Sequence, residues 1–158
     1  MKVTKILSGG QTGADTGGLL AAEELGIPTG GYAAKDFRTE LGPNPKLGTR
    51  FHLEDTGIYN YLHRTELNVN RTDGTLIFGN VGEPGTSATR GLCRKFAKPF
   101  LVVDYQVDVI VARDWLFDHK IKWLNVAGNR ESKYPGIQNA SYLFVVTMLK
   151  GWNDEASY

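Results

Sequence analysis

Short apolar runs rich in β-branched residues alternate with helical segments along this chain, and this alternation limits the folds open to it. The runs predict strands at Val3–Leu7, around Gly31–Ala33, and at Thr75–Phe78, Phe100–Val103 and Trp123–Ala127. The segments between them predict helices at Ala14–Leu25, Asp55–Thr72, Thr86–Phe96, Val109–His119 and Pro135–Leu149. Such alternation builds a mostly parallel sheet. We therefore predict an α/β domain of about five strands with helices on both faces.

The length of 158 residues fits one domain, which we place at residues 1–151, followed by a loose C-terminal tail at residues 152–158. The segment from Gly30 to Arg50 is rich in glycine and proline. After the short second strand, it predicts a long irregular loop of the kind that is often functional.

Charge, cysteine content and hydropathy argue against several classes of protein. The formal net charge of +1 argues against a nucleic-acid or membrane-surface binder. The single cysteine, Cys93, rules out a disulfide within the chain and a zinc site built on several cysteines. No apolar run has the length of a signal peptide or a membrane span. We therefore expect a cytoplasmic protein that binds neither nucleic acid nor membrane.

The loop Ser8–Asp15 follows the first predicted strand, and parallel sheets bind ligands where their strands end. Its three glycines lead into a helix, so backbone N–H groups and the helix dipole favour an anion such as phosphate. Gln11 and Thr12 add side-chain hydrogen-bond donors. A tight strand-to-helix turn without a ligand would explain the same glycines.

Two later loops occupy equivalent positions. Gly82–Ser87 enters a helix, and the hydroxyls at its end can either cap that helix or bind a ligand. Ala127–Lys133 follows the last strand and contains Arg130, whose planar guanidinium suits a phosphate or carboxylate. A surface salt bridge between Arg130 and Glu131 is the alternative.

A predicted helix adds a fourth feature. Arg64 and Asn68 are four residues apart and share one face, whereas Glu66 points elsewhere on a regular helix. A solvated helix face explains this pattern without a ligand. The three histidines lack metal-ligand spacing, so we assign no metal ligands.

Taken together, these segments resemble the molybdenum carrier family, also called molybdenum cofactor carrier proteins. The matching stretches run in one order over nearly the whole chain: Ser8–Asp15, Gly30–Tyr32, Arg64–Val69, Asp73–Thr75, Pro84–Thr86, Ala97–Pro99 and Asn125–Ser132. The resemblance implies a circularly permuted member of the Rossmann-like SLOG superfamily. It also implies that the predicted strands lie in the order 2-1-5-3-4, which places the Arg130 loop beside the Gly10 loop.

The ligand implied by the resemblance is molybdenum cofactor, a phosphorylated pterin with a dithiolene-bound metal. Its phosphate would lie on the Ser8–Asp15 amides or at the helix start near Thr86, with the two arginines holding further anionic charge. The candidate cofactor-binding residues are Gly9, Gly10, Gln11, Thr12, Gly13, Asp15, Arg64, Glu66, Asn68, Gly85, Thr86, Ser87, Asn129, Arg130, Glu131 and Ser132.

The resemblance implies a non-catalytic, homo-oligomeric (dimeric or tetrameric) carrier that protects the cofactor and delivers it to apo-molybdoenzymes. The alternatives are a SLOG-type hydrolase of nucleotides or nucleoside phosphates and a nucleotide-ligand sensor. Glycosidic cleavage needs a carboxylate. The helix after Gly82–Ser87 continues without one, so Asp15, Glu66 and Glu131 are the substitutes considered.

Overall fold

The computed structural model describes residues 2–104 and 106–155. In chain order, its strands are β1 (Lys5–Leu7), β2 (Thr29–Gly30), β3 (Tyr32–Ala33), β4 (Arg38–Thr39), β5 (Gly42–Pro43), β6 (Glu54–Asp55), β7 (Gly74–Phe78), β8 (Phe100–Val103) and β9 (Trp123–Gly128). Its helices are α1 (Ala14–Leu25), α2 (Lys46–Thr49), α3 (Tyr61–Asn70), α4 (Pro84–Lys95), α5 (Val109–Asp118), α6 (Ile137–Leu149) and α7 (Trp152–Glu155), with a 3-10 turn at Lys35–Phe37.

Five strands form a central sheet in the order β2-β1-β9-β7-β8, and every neighbouring pair is parallel. This confirms the predicted α/β, Rossmann-like domain and the strand order that the resemblance implied. The strand β7 is buried along its whole length, as expected for a parallel strand covered on both sides.

Helices α1, α5 and α6 cover one face of the sheet, and α3 and α4 cover the other. Helix α1 approaches α6 closely, since Gly17 faces the backbone of Gln138, and it also lies close to β9, since Gly18 lies against Val126. Because α1 follows β1 and α4 follows β7, the two helices leave the sheet on opposite faces and flank β9. Parallel sheets bind ligands at such a topological switch point, so a crevice is expected beyond the carboxyl end of β9.

The segment predicted as a long irregular loop is mostly ordered. It contains the hairpin β4–β5 and the short helix α2, and β3 pairs with β6 outside the main sheet. Leu47, Phe51 and Leu53 pack on Leu19 and form a second small core, which the loop prediction missed. The second strand of the main sheet is β2, which ends at Gly30, directly before the predicted strand.

Two further predictions need correction. The helix predicted from Asp55 begins only at Tyr61, because Gly57 has a positive φ of 71° and Asn60 caps the helix. Residues 152–155 were predicted as part of a loose tail but form α7, where Asn153 exchanges hydrogen bonds with Val3. Residues 156–158 lie outside the described residues. In the described part of the chain, no helix is long and apolar enough to cross a bilayer.

We expect Gly17→Ala to lower the free energy of unfolding by about 2 kcal/mol, as overpacking does. The added Cβ would overlap Ser141 and lie 2.5 Å from the carbonyl oxygen of Gln138. In the control Gly91→Ala on α4, the added Cβ meets nothing within 4 Å. That change should raise the free energy of unfolding by about 0.5–1 kcal/mol through helix propensity. Urea denaturation followed by circular dichroism measures both, and equal effects would contradict the close α1–α6 packing.

Candidate functional site

A crevice of about 310 Å³ opens where β7 and β9 end, next to the beginnings of α1, α3 and α4. This size lies at the lower end of the range for small-molecule sites. The predicted site residues that line it are Gln11, Asp15, Arg64, Gly85, Thr86, Asn129 and Arg130. Sequence reasoning did not select the other lining residues, which are Tyr61, Leu62, Thr65, Glu83, Pro84, Ala88, Thr89, Ala127 and Gly128.

A buried carboxylate and a nearly buried guanidinium face each other in this crevice. The Asp15 Oδ2 atom accepts a 3.1 Å hydrogen bond from the Gln11 N–H and lies 4.0 Å from Nη2 of Arg64. Burial raises the pKa of Asp15 to about 6, although the charges of Arg64 and Arg130 and the Gln11 N–H act to lower it. The protonation state of Asp15 therefore changes near neutral pH.

Several amides of the glycine-rich loop have protein acceptors. The Gly10 N–H donates to Oγ of Ser8 (3.2 Å), and the Thr12 N–H donates to Oε1 of Gln11 (3.0 Å). The Gln11 N–H binds Asp15, as described above, and the Ala14 N–H binds the Asn129 carbonyl (3.1 Å). These four amides are thus engaged within the protein, and Gln11 and Asp15 are the residues of the loop that line the crevice. The phosphate cradle that we predicted from the backbone of this loop stays a prediction.

The glycines of this loop are explained by protein contacts. A Cβ on Gly9 would lie 2.7 Å from Cζ of Arg64, so the missing side chain makes room for the guanidinium. A Cβ on Gly10 would press on Leu47 and Leu53, and one on Gly13 would lie 2.7 Å from the Glu131 nitrogen. None of these three glycines lines the crevice itself.

The start of α4 is more open to an anion. The N-cap residue Glu83 makes no side-chain capping bond, and Pro84 has no N–H to donate. The next two amides, of Gly85 and Thr86, belong to the first helical turn, whose N–H groups have no intrahelical acceptor. A Cβ on Gly85 would meet nothing within 4 Å. An anion near these amides would also gain from the helix dipole.

Asn129 fixes this helix start against β9. Its Nδ2 donates to Oγ1 of Thr86 (2.9 Å) and to the Asn80 carbonyl (3.1 Å), and its Oδ1 accepts from the Asn80 N–H. The side chain is 2% exposed. Its amide is thus used in positioning the loop, whereas we listed it among the candidate cofactor-binding residues.

Both crevice arginines lie over one aromatic ring. Cζ of Arg64 and Cζ of Arg130 are 5.3 and 5.8 Å from the ring centroid of Tyr61. The sequence prediction missed Tyr61 because it started the helix too early. The available signal was Asn60, whose side chain accepts from the Leu62 N–H at 2.8 Å and so begins α3 one residue before Tyr61.

Two buried donors at the crevice have no hydrogen-bond partner among residues 2–104 and 106–155. They are Nε2 of Gln11 and Nε of Arg64. The opposite end of the Gln11 amide is fixed, since Oε1 accepts from the N–H groups of Thr12 and Glu40. Buried donors are nearly always paired, so these atoms point to an acceptor that the protein does not supply.

Several predicted residues are placed elsewhere. Glu66 lies 4.0 Å from Lys95 at the surface, and Ser87 is exposed and does not line the crevice. Asn68 is buried and binds both the N–H (2.9 Å) and the carbonyl (3.1 Å) of Tyr32. These side chains have structural or surface positions.

The remaining predicted residues make hydrogen bonds around the loop Ala127–Lys133. Glu131 caps α6 by accepting from the N–H groups of Gly136 (2.6 Å) and Gln138 (3.0 Å). Thr12 and Ser132 both donate hydroxyl groups to Glu40, a residue that we had not selected.

Comparison with known proteins agrees with this architecture. A family model described as the circularly permutated YpsA SLOG family matches residues 6–149. A crystal structure at 1.45 Å resolution of a protein named "putative molybdenum carrier protein" from Syntrophus aciditrophicus SB is 34% identical to this chain, with a TM-score of 0.84. The match covers 94% of this chain and 95% of that one. No curated protein matches. The resemblance is confirmed: this chain belongs to the circularly permutated YpsA SLOG family.

Proposed function

We propose that the crevice binds molybdenum cofactor and that the protein is a carrier that shields the cofactor and hands it to apo-molybdoenzymes. The observation that carries this proposal is that Arg64 and Arg130 and the uncapped start of α4 border one crevice. Two positive side chains and a free helix N-terminus suit a ligand with more than one anionic group. The name of the similar protein supports molybdenum as part of the cargo.

The buried donors without partners test whether such a ligand fits. Gln11 Nε2 offers a hydrogen bond to a carbonyl or ring nitrogen, both of which a pterin presents. The phosphate would lie at the amides of Gly85 and Thr86, with Arg64 and Arg130 available to further anionic groups. The bound metal would enter as cargo of the pterin. A homo-oligomeric state and delivery to apoenzymes remain predictions.

Asp15 favours one second candidate, a hydrolase acting on nucleoside phosphates. Of the three carboxylates considered as general acid or base, Glu66 and Glu131 are used elsewhere, and Asp15 lies in the crevice. Burial raises its pKa to about 6, which suits a group that exchanges protons near neutral pH. Glu83, at the start of α4, adds a second carboxylate to the crevice wall.

Binding and turnover measurements on the purified protein distinguish the two candidates. We expect the protein to retain molybdenum cofactor released from a molybdoenzyme through gel filtration, with pterin and molybdenum co-eluting in a fixed ratio. We expect adenosine monophosphate to remain intact on prolonged incubation. If the nucleotide is cleaved and the cofactor does not co-elute, the protein is a hydrolase and the carrier proposal is wrong.

Arg130→Ala should weaken cofactor binding about tenfold or more, since a charge-assisted contact contributes roughly 1.5–3 kcal/mol. The side chain is one-third exposed, so its removal should leave the fold intact. Arg50→Ala is the charge-matched control, because Arg50 pairs with Glu23 on the surface and does not line the crevice. Fluorescence titration with the cofactor measures both variants. If the two variants bind the cofactor with equal affinity, Arg130 does not contribute to the proposed site.

Oxyanion binding should strengthen as the pH falls through the pKa of Asp15, about 6. Above this pH the Asp15 carboxylate repels a bound anion, and below it the neutral acid does not, so binding takes up a proton. We expect sulfate, whose charge is constant in this range, to bind about tenfold more tightly near pH 5 than near pH 8, a difference of ~1.4 kcal/mol. Calorimetric titration at several pH values measures this.

Asp15→Asn is the control for this pH dependence. It preserves the size of the side chain and an oxygen for the Gln11 N–H, and it removes the ionisable group. Its sulfate affinity should vary little between pH 5 and pH 8. A profile as steep as that of the wild type would show that another group is responsible.

A further inference from the structure

The side chain of Glu40 lies among hydrogen-bond donors from two loops, one that follows β1 and one that follows β9. Its Oε1 accepts from the Thr12 hydroxyl and from the Ser132 N–H (3.2 Å), and its Oε2 accepts from the Ser132 hydroxyl. Nε of Arg130 lies 4.0 Å from Oε2. Two hydroxyls, one amide and one guanidinium therefore surround a single carboxylate, which is 12% exposed.

These four donors are the groups that commonly bind a phosphate or another tetrahedral oxyanion. Hydroxyl, amide and guanidinium donors recognise the charge and the oxygens of such a ligand, and a carboxylate presents similar oxygens. Arg130 lines the crevice as well, so the Glu40 position adjoins the proposed ligand site. The Glu40 carboxylate thus occupies a position whose surrounding donors suit a bound oxyanion.

The segment that carries Glu40 is a short hairpin. Glu40 and Leu41 form the turn between β4 and β5, each of which has only two residues. A two-stranded hairpin has little stability of its own. Leu41, at its tip, is 86% exposed. The hydrogen bonds of Glu40 connect the turn of this hairpin to the loops after β1 and β9.

The backbone of Glu40 holds the side chain of Gln11, which lines the crevice. The Glu40 N–H donates to Oε1 of Gln11 at 2.9 Å. The other end of that amide, Nε2, is one of the buried donors without a partner in the described part of the chain. Movement of the hairpin would remove one of the two hydrogen bonds that hold the Gln11 amide, and it would free the four donors around the carboxylate.

We propose that Glu40 occupies a second oxyanion subsite of the crevice, and that a tetrahedral dianionic group of the ligand displaces it when the ligand binds. The proposal deepens the proposed function and rests on it for the identity of the crevice as the ligand site. Because Glu40 returns to the same donors when the ligand leaves, its carboxylate competes with the cargo and promotes release.

The charge of Glu40 makes this a competition between anions. Burial acts to raise the pKa of Glu40, but the hydrogen bonds from Ser132 and Thr12 outweigh this effect and lower it, with Arg130 adding a further lowering. Glu40 is therefore ionised throughout the neutral range. Thr12, Ser132, Arg130 and Gln11 are the polar groups that face it, and none of them supplies a second carboxylate to the subsite.

The test uses inorganic molybdate and sulfate as probes, measured by equilibrium dialysis and calorimetry on the whole chain. We expect Glu40→Gln, which removes the charge and preserves the shape, to bind both anions about tenfold more tightly than the wild type. Glu40→Ala, which also vacates the space, should bind them at least as tightly as Glu40→Gln. Glu23→Gln is the control, because Glu23 pairs with Arg50 on the surface, and it should leave the affinity unchanged.

Two further measurements separate displacement from a general change in charge. Adding Ser132→Ala to Glu40→Ala should remove most of the gain in affinity, since it deletes a donor of the subsite. In the wild type, molybdate should speed tryptic cleavage after the exposed Arg38 of the hairpin. Unchanged anion affinity in both Glu40 variants, with melting temperatures near that of the wild type, would overturn the proposal.

The outcomes also separate this proposal from the proposed function. If molybdenum cofactor fails to bind the wild type while the Glu40 variants gain affinity for molybdate, the carrier function is wrong and the subsite stands. If the cofactor binds but neither variant gains affinity and the hairpin remains protected, the subsite is wrong and the carrier function stands.

Discussion

The close contact between the loop after β1 and the loop after β9 determines where the rest of the crevice lies. The Ala14 N–H binds the Asn129 carbonyl at 3.1 Å, and Gly13 approaches the Glu131 nitrogen so closely that no side chain would fit between them. These two loops are far apart in sequence and come together because β1 and β9 are neighbours in the sheet. Asn129 then extends the contact to α4 through Thr86.

Paired burial of opposite charges gives this crevice its chemical character. Asp15 and Arg64 are largely removed from water, which disfavours the charge on each of them, and their mutual attraction offsets only part of that cost. For Asp15 the result is a pKa of about 6, whereas Arg64 retains its charge, since a guanidinium does not lose its proton in proteins. A crevice of this kind becomes more positive as the pH falls, and the carrier and the hydrolase proposals both draw on that property.

The sequence predicted regular elements well and the roles of loop residues poorly. Helix Ala14–Leu25 and strand Phe100–Val103 were predicted with the bounds observed, since periodicity and flanking glycine or proline are local signals. The strand order came from the family resemblance, because the neighbours of β9 are remote in sequence. The glycines of Ser8–Asp15 were correctly seen as special, but their physical reason is contact with Arg64, Leu47 and the Glu131 backbone. Glu40 reaches the site through tertiary contacts that no local pattern records, whereas the Asn60 cap was a local signal for the start of α3 at Tyr61.

The two carboxylates near the ligand site differ in how they could yield to an incoming anion. Asp15 is in the first turn of α1, in the core of the domain, and its position is fixed by the Gln11 N–H, so it can yield only by taking up a proton. Glu40 is ionised throughout the neutral range, because its hydrogen bonds lower its pKa, so it can yield only by moving. The position of each residue in the fold agrees with this difference. Glu40 lies in a short hairpin, which can move, and Asp15 lies at the start of a buried helix, which cannot. Binding of an anion in the crevice would therefore be coupled to proton uptake by Asp15 and to displacement of the hairpin that carries Glu40.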